Sequence, residues 1–295
     1  MSDCTHTCLD LEHLDLDGAI CCYLVDGDEP TIVDPGPTTT VGRLIEKLGE
    51  HGVGRDDLRN VLLTHIHLDH AGATGHLLEH FPNATVYVHE DGASHMVDPE
   101  RLVASTRRTF GELHDRLWGE VKPVSADRVR VWRADEPEPW AGLRPVSTPG
   151  HIDSHLAYLD ERDGTLFSGD AMGISLSGGP SYAPTPPPSV NLPDWARTLE
   201  TIGHIGPERF GATHFGFHED VEVRRLELQE RLVALERRVR QALAEGDEAD
   251  ADRYEGEIVA DMVPFMGEDR ANRYFQMFSA ATDWAGVAFY VQRNP

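Results

Sequence analysis

Apolar positions in the first third of the chain change repeatedly between strand-like runs and helical spacing. Residues 19–36, AICCYLVDGDEPTIVDPG, predict two strands around an Asp-Gly turn. Residues 38–52 predict a helix that begins at threonines and ends at glycine. Two further strands are predicted at 58–64 and 85–91, with a helix over 71–84 between them. This alternation favours helices packed over a sheet.

The middle of the chain has a less regular pattern. Residues 98–122 have the spacing of an amphipathic helix, and a series of short strands and turns follows as far as residue 170. The prolines of residues 178–193 exclude regular structure, so this segment is either a loop beside a functional site or a plain connector. A helix at 194–206 and a strand at 209–213 come next.

Beyond residue 218 the pattern becomes helical and highly charged. Leu228, Leu232, Leu235 and Val239 follow helical spacing, and two more helical patterns run to the C-terminus. We therefore predict two domains, a mixed α/β domain at 1–218 and an all-helical C-terminal extension at 219–295. The extension either only packs against the first domain or another subunit, or forms a wall of a substrate cleft, and we favour the wall.

The sequence LLTHIHLDHAG at 62–72 combines three histidines and an aspartate directly after a predicted strand. Side chains two residues apart on an extended backbone point the same way, so His65 and His67 face one direction. Asp69 continues that direction, and His70 turns back as a helix begins. Four converging side chains of these types are suited to binding zinc, manganese or iron.

Three more candidate ligands follow predicted strands or turns. His151 follows a Pro-Gly turn in STPGHIDSH, Asp170 ends the strand of LFSGDAM, and His214 ends the strand of FGATHFG. Ends of strands are common positions for functional side chains.

The motifs THIHLDH, TPGH, FSGD and the late TH resemble, in order and spacing, the metal motifs of the metallo-β-lactamase superfamily, in its glyoxalase II-like hydrolase branch. The resemblance covers roughly residues 15–218 and implies an αββα sandwich. It implies that one metal is held by His65, His67 and His151. It implies that the second is held by Asp69, His70 and His214, with Asp170 bridging both.

The resemblance implies two divalent cations, which we expect to be zinc, with manganese or iron as alternatives. A pair of such cations lowers the pKa of bound water and polarises a carbonyl or phosphoryl oxygen. We expect hydrolysis of a small ester, lactone or thioester, with Asp69 as the catalytic residue that orients the nucleophile. The alternative is a sulfur (persulfide) dioxygenase of the same fold with one iron bound through His65, His151 and Asp170. A non-catalytic module is disfavoured because all seven ligand positions are filled.

The net charge of −25 narrows the choice of partners. Such a surface repels phosphate backbones, so nucleic acid is excluded as a partner and a small-molecule substrate is expected. No apolar run approaches the roughly 20 residues that span a bilayer, and the first residues do not resemble a secretory signal. We therefore expect no membrane partner and a cytoplasmic protein, and we leave a homodimer open.

A few residues beside the motifs have weaker assignments. Asp34 either supports the loops under the site or only forms a turn. His89, His155 and His218 are expected to lie near the ligands without binding metal. Tyr182 and Phe215 are candidate substrate contacts. The predicted helical extension contains no lysine, which leaves Arg270 and Arg273 as candidates for binding glutathione.

Overall fold

The computed structural model of the protein describes residues 5–133 and 140–294. The first of its two sheets consists of six strands, β1 Thr7–Asp10, β2 Cys21–Val25, β3 Thr31–Val33, β4 Asn60–Leu62, β5 Thr85–His89 and β6 Val129–Trp132. They lie side by side in chain order. Strands β1 to β3 pair antiparallel and β3 to β6 pair parallel. Because β4 is buried along its whole length, both faces of the sheet are covered there.

The second sheet is built from five strands, β7 Arg144–Ser147, β8 Leu156–Asp160, β9 Thr165–Gly169, β10 Arg209–Ala212 and β11 Gly216–His218. Their order across the sheet is β11-β10-β9-β8-β7. Only the pair of β9 and β10 is parallel, and the long connection between these two strands contains the Pro-rich segment.

Helices cover the outer faces of the sheets. Those of the first domain are α1 Val41–Glu50, α2 Leu68–Ala71, α3 Thr74–His80, α4 Glu90–Val97, α5 Glu100–Phe110, α6 His114–Leu117 and α7 Leu192–Ile205. Those of the C-terminal extension are α8 Val221–Glu245, α9 Asp250–Met266, α10 Glu268–Met277 and α11 Ala280–Arg293. Residues of α1 and α3 pack with the first sheet, and residues of α7, α8 and α11 share one apolar cluster with the second sheet.

Side chains of the two sheets meet in a core that also contains polar contacts. Tyr23 and Tyr158 are almost fully buried there, together with Phe167. The Tyr23 hydroxyl donates to the Ala212 carbonyl at 2.6 Å, and the Tyr158 hydroxyl donates to the Leu63 carbonyl at 2.7 Å. Each tyrosine therefore satisfies its hydroxyl on the backbone of the opposite sheet, beside a strand end that carries a metal motif.

The predicted αββα sandwich with a helical extension is confirmed, and four local details differ from the prediction. The strand β1 was missed. The predicted strand at 85–91 ends at His89, where α4 begins with its first turn capped by the His89 side chain. The predicted helix at 98–122 is broken, because Gly111 ends α5 with a φ of 53°. The extension contains four helices among the residues described, one more than the pattern indicated.

No helix in the described part of the chain has both the length and the apolar character that crossing a bilayer requires. The predicted domain boundary between residues 218 and 219 stays a prediction. Helix α8 begins close to it, at Val221.

Candidate metal centre

His65, His67 and His151 form the first of two groups of converging side chains. His65 and His67 follow β4 at the point where the chain turns into α2, and His151 lies in the loop between β7 and β8. Nδ1 of His67 lies 3.0 Å from Nε2 of His65 and 2.8 Å from Nε2 of His151. The ends of two strands from different sheets thus bring three imidazoles together.

Asp69, His70 and His214 form the second group. Oδ2 of Asp69 lies 3.3 Å from Nε2 of His214 and 3.7 Å from Nε2 of His70. In each of the two groups the possible ligand atoms all lie within 4.8 Å of one another. His70 belongs to the same sequence motif as His65, whereas His214 follows β10 of the second sheet.

Asp170, which directly follows β9, lies between the two groups. Its Oδ1 is 3.4 Å from Nε2 of His70, and its Oδ2 is 3.4 Å from Nε2 of His151. The preceding Gly169 has a φ of 50°, and a Cβ there would lie 2.6 Å from Oγ1 of Thr64. The glycine therefore allows the aspartate to approach the first motif closely.

Hydrogen bonds to backbone carbonyls at the outer nitrogens orient two of the histidines. Nδ1 of His151 lies 2.7 Å from the carbonyl of Pro184, and Nδ1 of His214 lies 3.0 Å from the carbonyl of Ala19. Carbonyl oxygens only accept, so both rings carry their proton on Nδ1 and present an Nε2 lone pair to the centre. This arrangement is typical of metal-binding histidines.

Asp34 performs the same task for His70 from beneath the site. Its fully buried carboxylate accepts from the Thr64 amide at 2.8 Å, the Thr64 hydroxyl at 2.7 Å, Nδ1 of His70 at 2.8 Å and the Thr213 hydroxyl at 2.9 Å. Thr64 and Thr213 precede His65 and His214 in the chain. Asp34 therefore supports the loops under the site rather than only forming a turn.

Two buried atoms of the centre have no hydrogen-bond partner, Nε2 of His70 and Oδ1 of Asp170. A buried polar atom without a partner is costly. Both atoms point to the other candidate ligands. Nδ1 of His67 lies within hydrogen-bond distance of Nε2 of both His65 and His151, although Nε2 of His151 presents only a lone pair. Bound cations would satisfy this set of donor atoms, so the residues fit the metals that the resemblance implies.

The ionisation states of His65, His67 and Asp170 agree with that fit. Burial lowers the pKa of His67 to about 3 and that of His65 well below its usual range, so both rings are neutral, the form that binds metals. Burial opposes ionisation of Asp170, but His70 and His151 outweigh it and hold the pKa of that carboxyl well below its usual range. Burial also opposes a charge on His70, but Asp170, Asp69 and Asp34 outweigh it and raise the pKa of that imidazole. The centre thus attracts positive charge.

The seven candidate ligands differ in their exposure. His65, His70, His151, Asp170 and His214 are buried, while His67 and Asp69 are partly exposed. His67 and Asp69 are therefore the candidate ligands that solvent reaches most readily.

Sequence reasoning missed His13, which lies in a 3₁₀ turn and is fully buried. Its ring stacks on Trp118, and burial lowers its pKa to about 4, with Asp69 opposing this and His214 adding to it. Nothing in the local sequence marked His13, because its surroundings come from distant parts of the chain.

A second missed residue is Tyr274 of α10. Its hydroxyl lies 3.2 Å from Nδ1 of His214, and Phe278 lies against the same imidazole with ring centroids 4.9 Å apart. Both aromatic residues belong to the C-terminal extension. The extension therefore contacts a candidate ligand, and its role as a wall of a substrate cleft stays a prediction.

The three histidines predicted to lie near the ligands differ in position. Nε2 of His155 accepts from the Asp170 amide at 3.2 Å, and its ring stacks on His65. His89 instead caps α4, and His218 contacts the Phe215 carbonyl. Only His155 supports the centre directly.

Tyr182, one of the two candidate substrate contacts, and both candidate glutathione contacts are engaged elsewhere, whereas Phe215 is partly buried and stays a prediction. Tyr182 is buried against Phe275 rather than placed on an open surface. Arg273 donates to the carbonyls of Leu14 and Asp15, and Arg270 donates to the carbonyl of Asp17. Both guanidinium groups therefore hold the loop that carries His13.

A family model described as "Metallo-beta-lactamase superfamily" matches residues 17–231. The chain belongs to this superfamily. The match extends past residue 218 into α8, so the family's sequence pattern includes the start of the extension.

Curated relatives share part of the chain. The YobT protein of Bacillus subtilis is 30% identical over 171 residues, which are 55% of this chain and 67% of YobT. A hydroxyacylglutathione hydrolase of Xanthomonas campestris pv. campestris is 30% identical over 171 residues, 58% of this chain and 52% of that enzyme. The chain thus spans between about half and two thirds of the length of such relatives, and the resemblance to the glyoxalase II-like branch is confirmed.

Solved structures show the same fold. The metallo-beta-lactamase family protein TTHA1429 of Thermus thermophilus superimposes with a TM-score of 0.61 at 23% identity, over 98% of this chain and 93% of its own. The likeness therefore includes the helical extension.

Proposed function

We propose that the protein is a dinuclear metal-dependent hydrolase of a small ester, lactone or thioester. The observation that carries this proposal is the convergence of five histidines and two aspartates in two groups joined by Asp170. His65, His67 and His151 would hold one cation, and Asp69, His70 and His214 the other. Zinc is the expected metal, with manganese or iron as alternatives.

The chain's own residues prepare the site before any substrate arrives. Asp34, Pro184 and Ala19 fix the protons of His70, His151 and His214 on the outer nitrogens. When bound, the cations would supply a water of lowered pKa and polarise the substrate carbonyl oxygen. Asp69, the partly exposed carboxylate, would orient the attacking water by accepting a hydrogen bond from it.

The net charge and the relatives support the proposed substrate class. The acidic surface repels polyanions, which supports a small substrate. The hydroxyacylglutathione hydrolase relatives support a thioester or a similar acyl compound. Glutathione itself is less well supported, because Arg270 and Arg273 already donate to backbone carbonyls.

The persulfide dioxygenase is the weaker alternative. It would use His65, His151 and Asp170 alone, and it gives no role to the second group of Asp69, His70 and His214. That group is as compact as the first. The geometry therefore favours the dinuclear hydrolase.

A substrate panel with three metals tests the proposal. Lactones, thioesters, phosphodiesters and a persulfide would be assayed with zinc, manganese or iron, with oxygen present and with oxygen excluded, after elemental analysis of the purified protein. We expect two metals per chain and anaerobic hydrolysis of an acyl substrate. A single iron with oxygen-dependent turnover of the persulfide would replace the hydrolase by the dioxygenase.

A further inference from the structure

The peptide group between Pro184 and Thr185 connects a candidate metal ligand to the C-terminal extension. Its C=O accepts from Nδ1 of His151 at 2.7 Å. Its N–H donates to Oδ1 of Asp283 in α11 at 2.6 Å. Because both groups belong to one rigid plane, a residue that fixes the N–H also fixes the direction of the C=O.

Helix α11 is held directly against this peptide group. The Thr185 hydroxyl donates to the backbone carbonyl of Asp283 at 2.9 Å, and Thr185 and Asp283 are both buried. A Cβ on Gly286 would lie 1.7 Å from the Thr185 carbonyl oxygen. Only glycine therefore allows α11 to approach the loop this closely.

We propose that Asp283 is a positioning residue of the metal centre, acting on His151 through the Pro184–Thr185 peptide group. The carboxyl group draws the N–H toward itself, which polarises the amide and strengthens its C=O as an acceptor. That C=O in turn holds the His151 ring in one orientation with its Nε2 lone pair directed at the centre. The inference rests on the proposed metal centre and gives the extension a defined role in it.

Asp250 offers a matched control within the same extension. It is about as buried as Asp283, but its carboxylate accepts from Arg238 and Trp284 and makes no contact with the centre. Losing Asp250 should lower stability without changing metal binding. Losing Asp283 should lower stability and also weaken metal binding.

The test is zinc affinity of the full chain, measured by competition with a chromogenic chelator. Wild type establishes whether two zinc ions bind, and a failure at that step would count against the proposed function itself. Asp283→Ala should then bind one of the two ions about 10–100-fold more weakly. Asp283→Asn, which keeps an acceptor oxygen, should restore affinity to within about threefold, and Asp250→Ala should match wild type.

A second pair of variants covers the case in which Asp283→Ala does not fold. Gly286→Ala places a methyl group against the Thr185 carbonyl, whereas Gly256→Ala in α9 meets nothing within 4 Å. We expect weaker zinc binding only for Gly286→Ala. If wild type binds two ions and every folded variant at 283 or 286 binds both equally tightly, the positioning role is wrong. A loss in Asp283→Asn as large as that in Asp283→Ala would also overturn it.

Discussion

Nδ1 of His70 and Oδ2 of Asp34 lie 2.8 Å apart, and neither side chain is exposed. The same carboxylate accepts from Thr64 and Thr213, the residues just before His65 and His214. One aspartate therefore sets the direction of a candidate ligand and joins the two strand ends that carry two others. Support of this kind keeps ligands in place before a metal binds.

Replacing Asp34 should be among the most damaging single changes. Asp34→Ala leaves four buried donors without an acceptor, and we expect the free energy of unfolding to fall by about 3–5 kcal/mol. Urea unfolding of the metal-free protein measures this. Asp57→Ala, which removes an exposed acceptor for the Gly54 amide, should cost less than about 1 kcal/mol. Equal losses in both variants would contradict a special role for Asp34.

Asp69→Ala should remove most activity and leave the fold intact, because Asp69 is partly exposed and is assigned to orienting the nucleophile. On any substrate found in the panel we expect kcat to fall by about 10²–10⁴-fold. Asp170→Ala should be at least as severe, since loss of the shared carboxylate leaves two cations close together. Circular dichroism of each variant verifies the fold, and an unchanged kcat in Asp69→Ala would exclude that role.

The candidate ligands could be predicted because they lie in short local motifs at strand ends. His65, His67, Asp69 and His70 are adjacent in sequence, and their convergence needs only the geometry of a strand that turns into a helix. His13 could not be predicted in this way. Its burial depends on Trp118, which the fold brings to it from another part of the chain.

The contact between Asp283 and Thr185 could not be predicted from the sequence for the same reason, because 98 positions separate the two residues. Helix α4 was not predicted because its N-cap residue is a histidine, which is not among the residues that usually indicate the start of a helix. The pattern of apolar and polar residues along the chain does not show which distant side chains become neighbours. The helical extension makes many such contacts.

The buried His13 makes stability dependent on pH. Its folded-state pKa is about 4 against an ordinary value of 6.5, with burial as the main cause. The unfolded chain therefore binds the proton more tightly, so the contribution of His13 is fully present above pH 6.5 and is lost as the pH falls toward 4. Between pH 7.5 and pH 5 this loss is roughly 2 kcal/mol.

Urea unfolding in the presence of a chelator isolates this effect. We expect His13→Gln to lose roughly 2 kcal/mol less than wild type over that pH interval. His204→Gln, at an exposed histidine of α7, should follow the wild-type dependence. If the free energy of unfolding of wild type and of His13→Gln changed equally with pH, His13 would take up a proton in the folded protein as readily as in the unfolded one.

Residues 1–218 on their own should not form a stable protein, even though the predicted domain boundary lies at that point. Leu228 and Leu232 of α8 and Val287 of α11 belong to the same apolar cluster as Leu166 and Phe210 of the second sheet. Each fully buried side chain of this kind contributes about 1.5–3 kcal/mol, so removing residues 219–295 would expose the outer face of that sheet. We expect the fragment to aggregate or to lack a cooperative thermal transition. A soluble fragment that unfolds cooperatively and still binds two zinc ions would instead show that the extension is an independent unit, and that the metal centre does not depend on Tyr274 or Asp283.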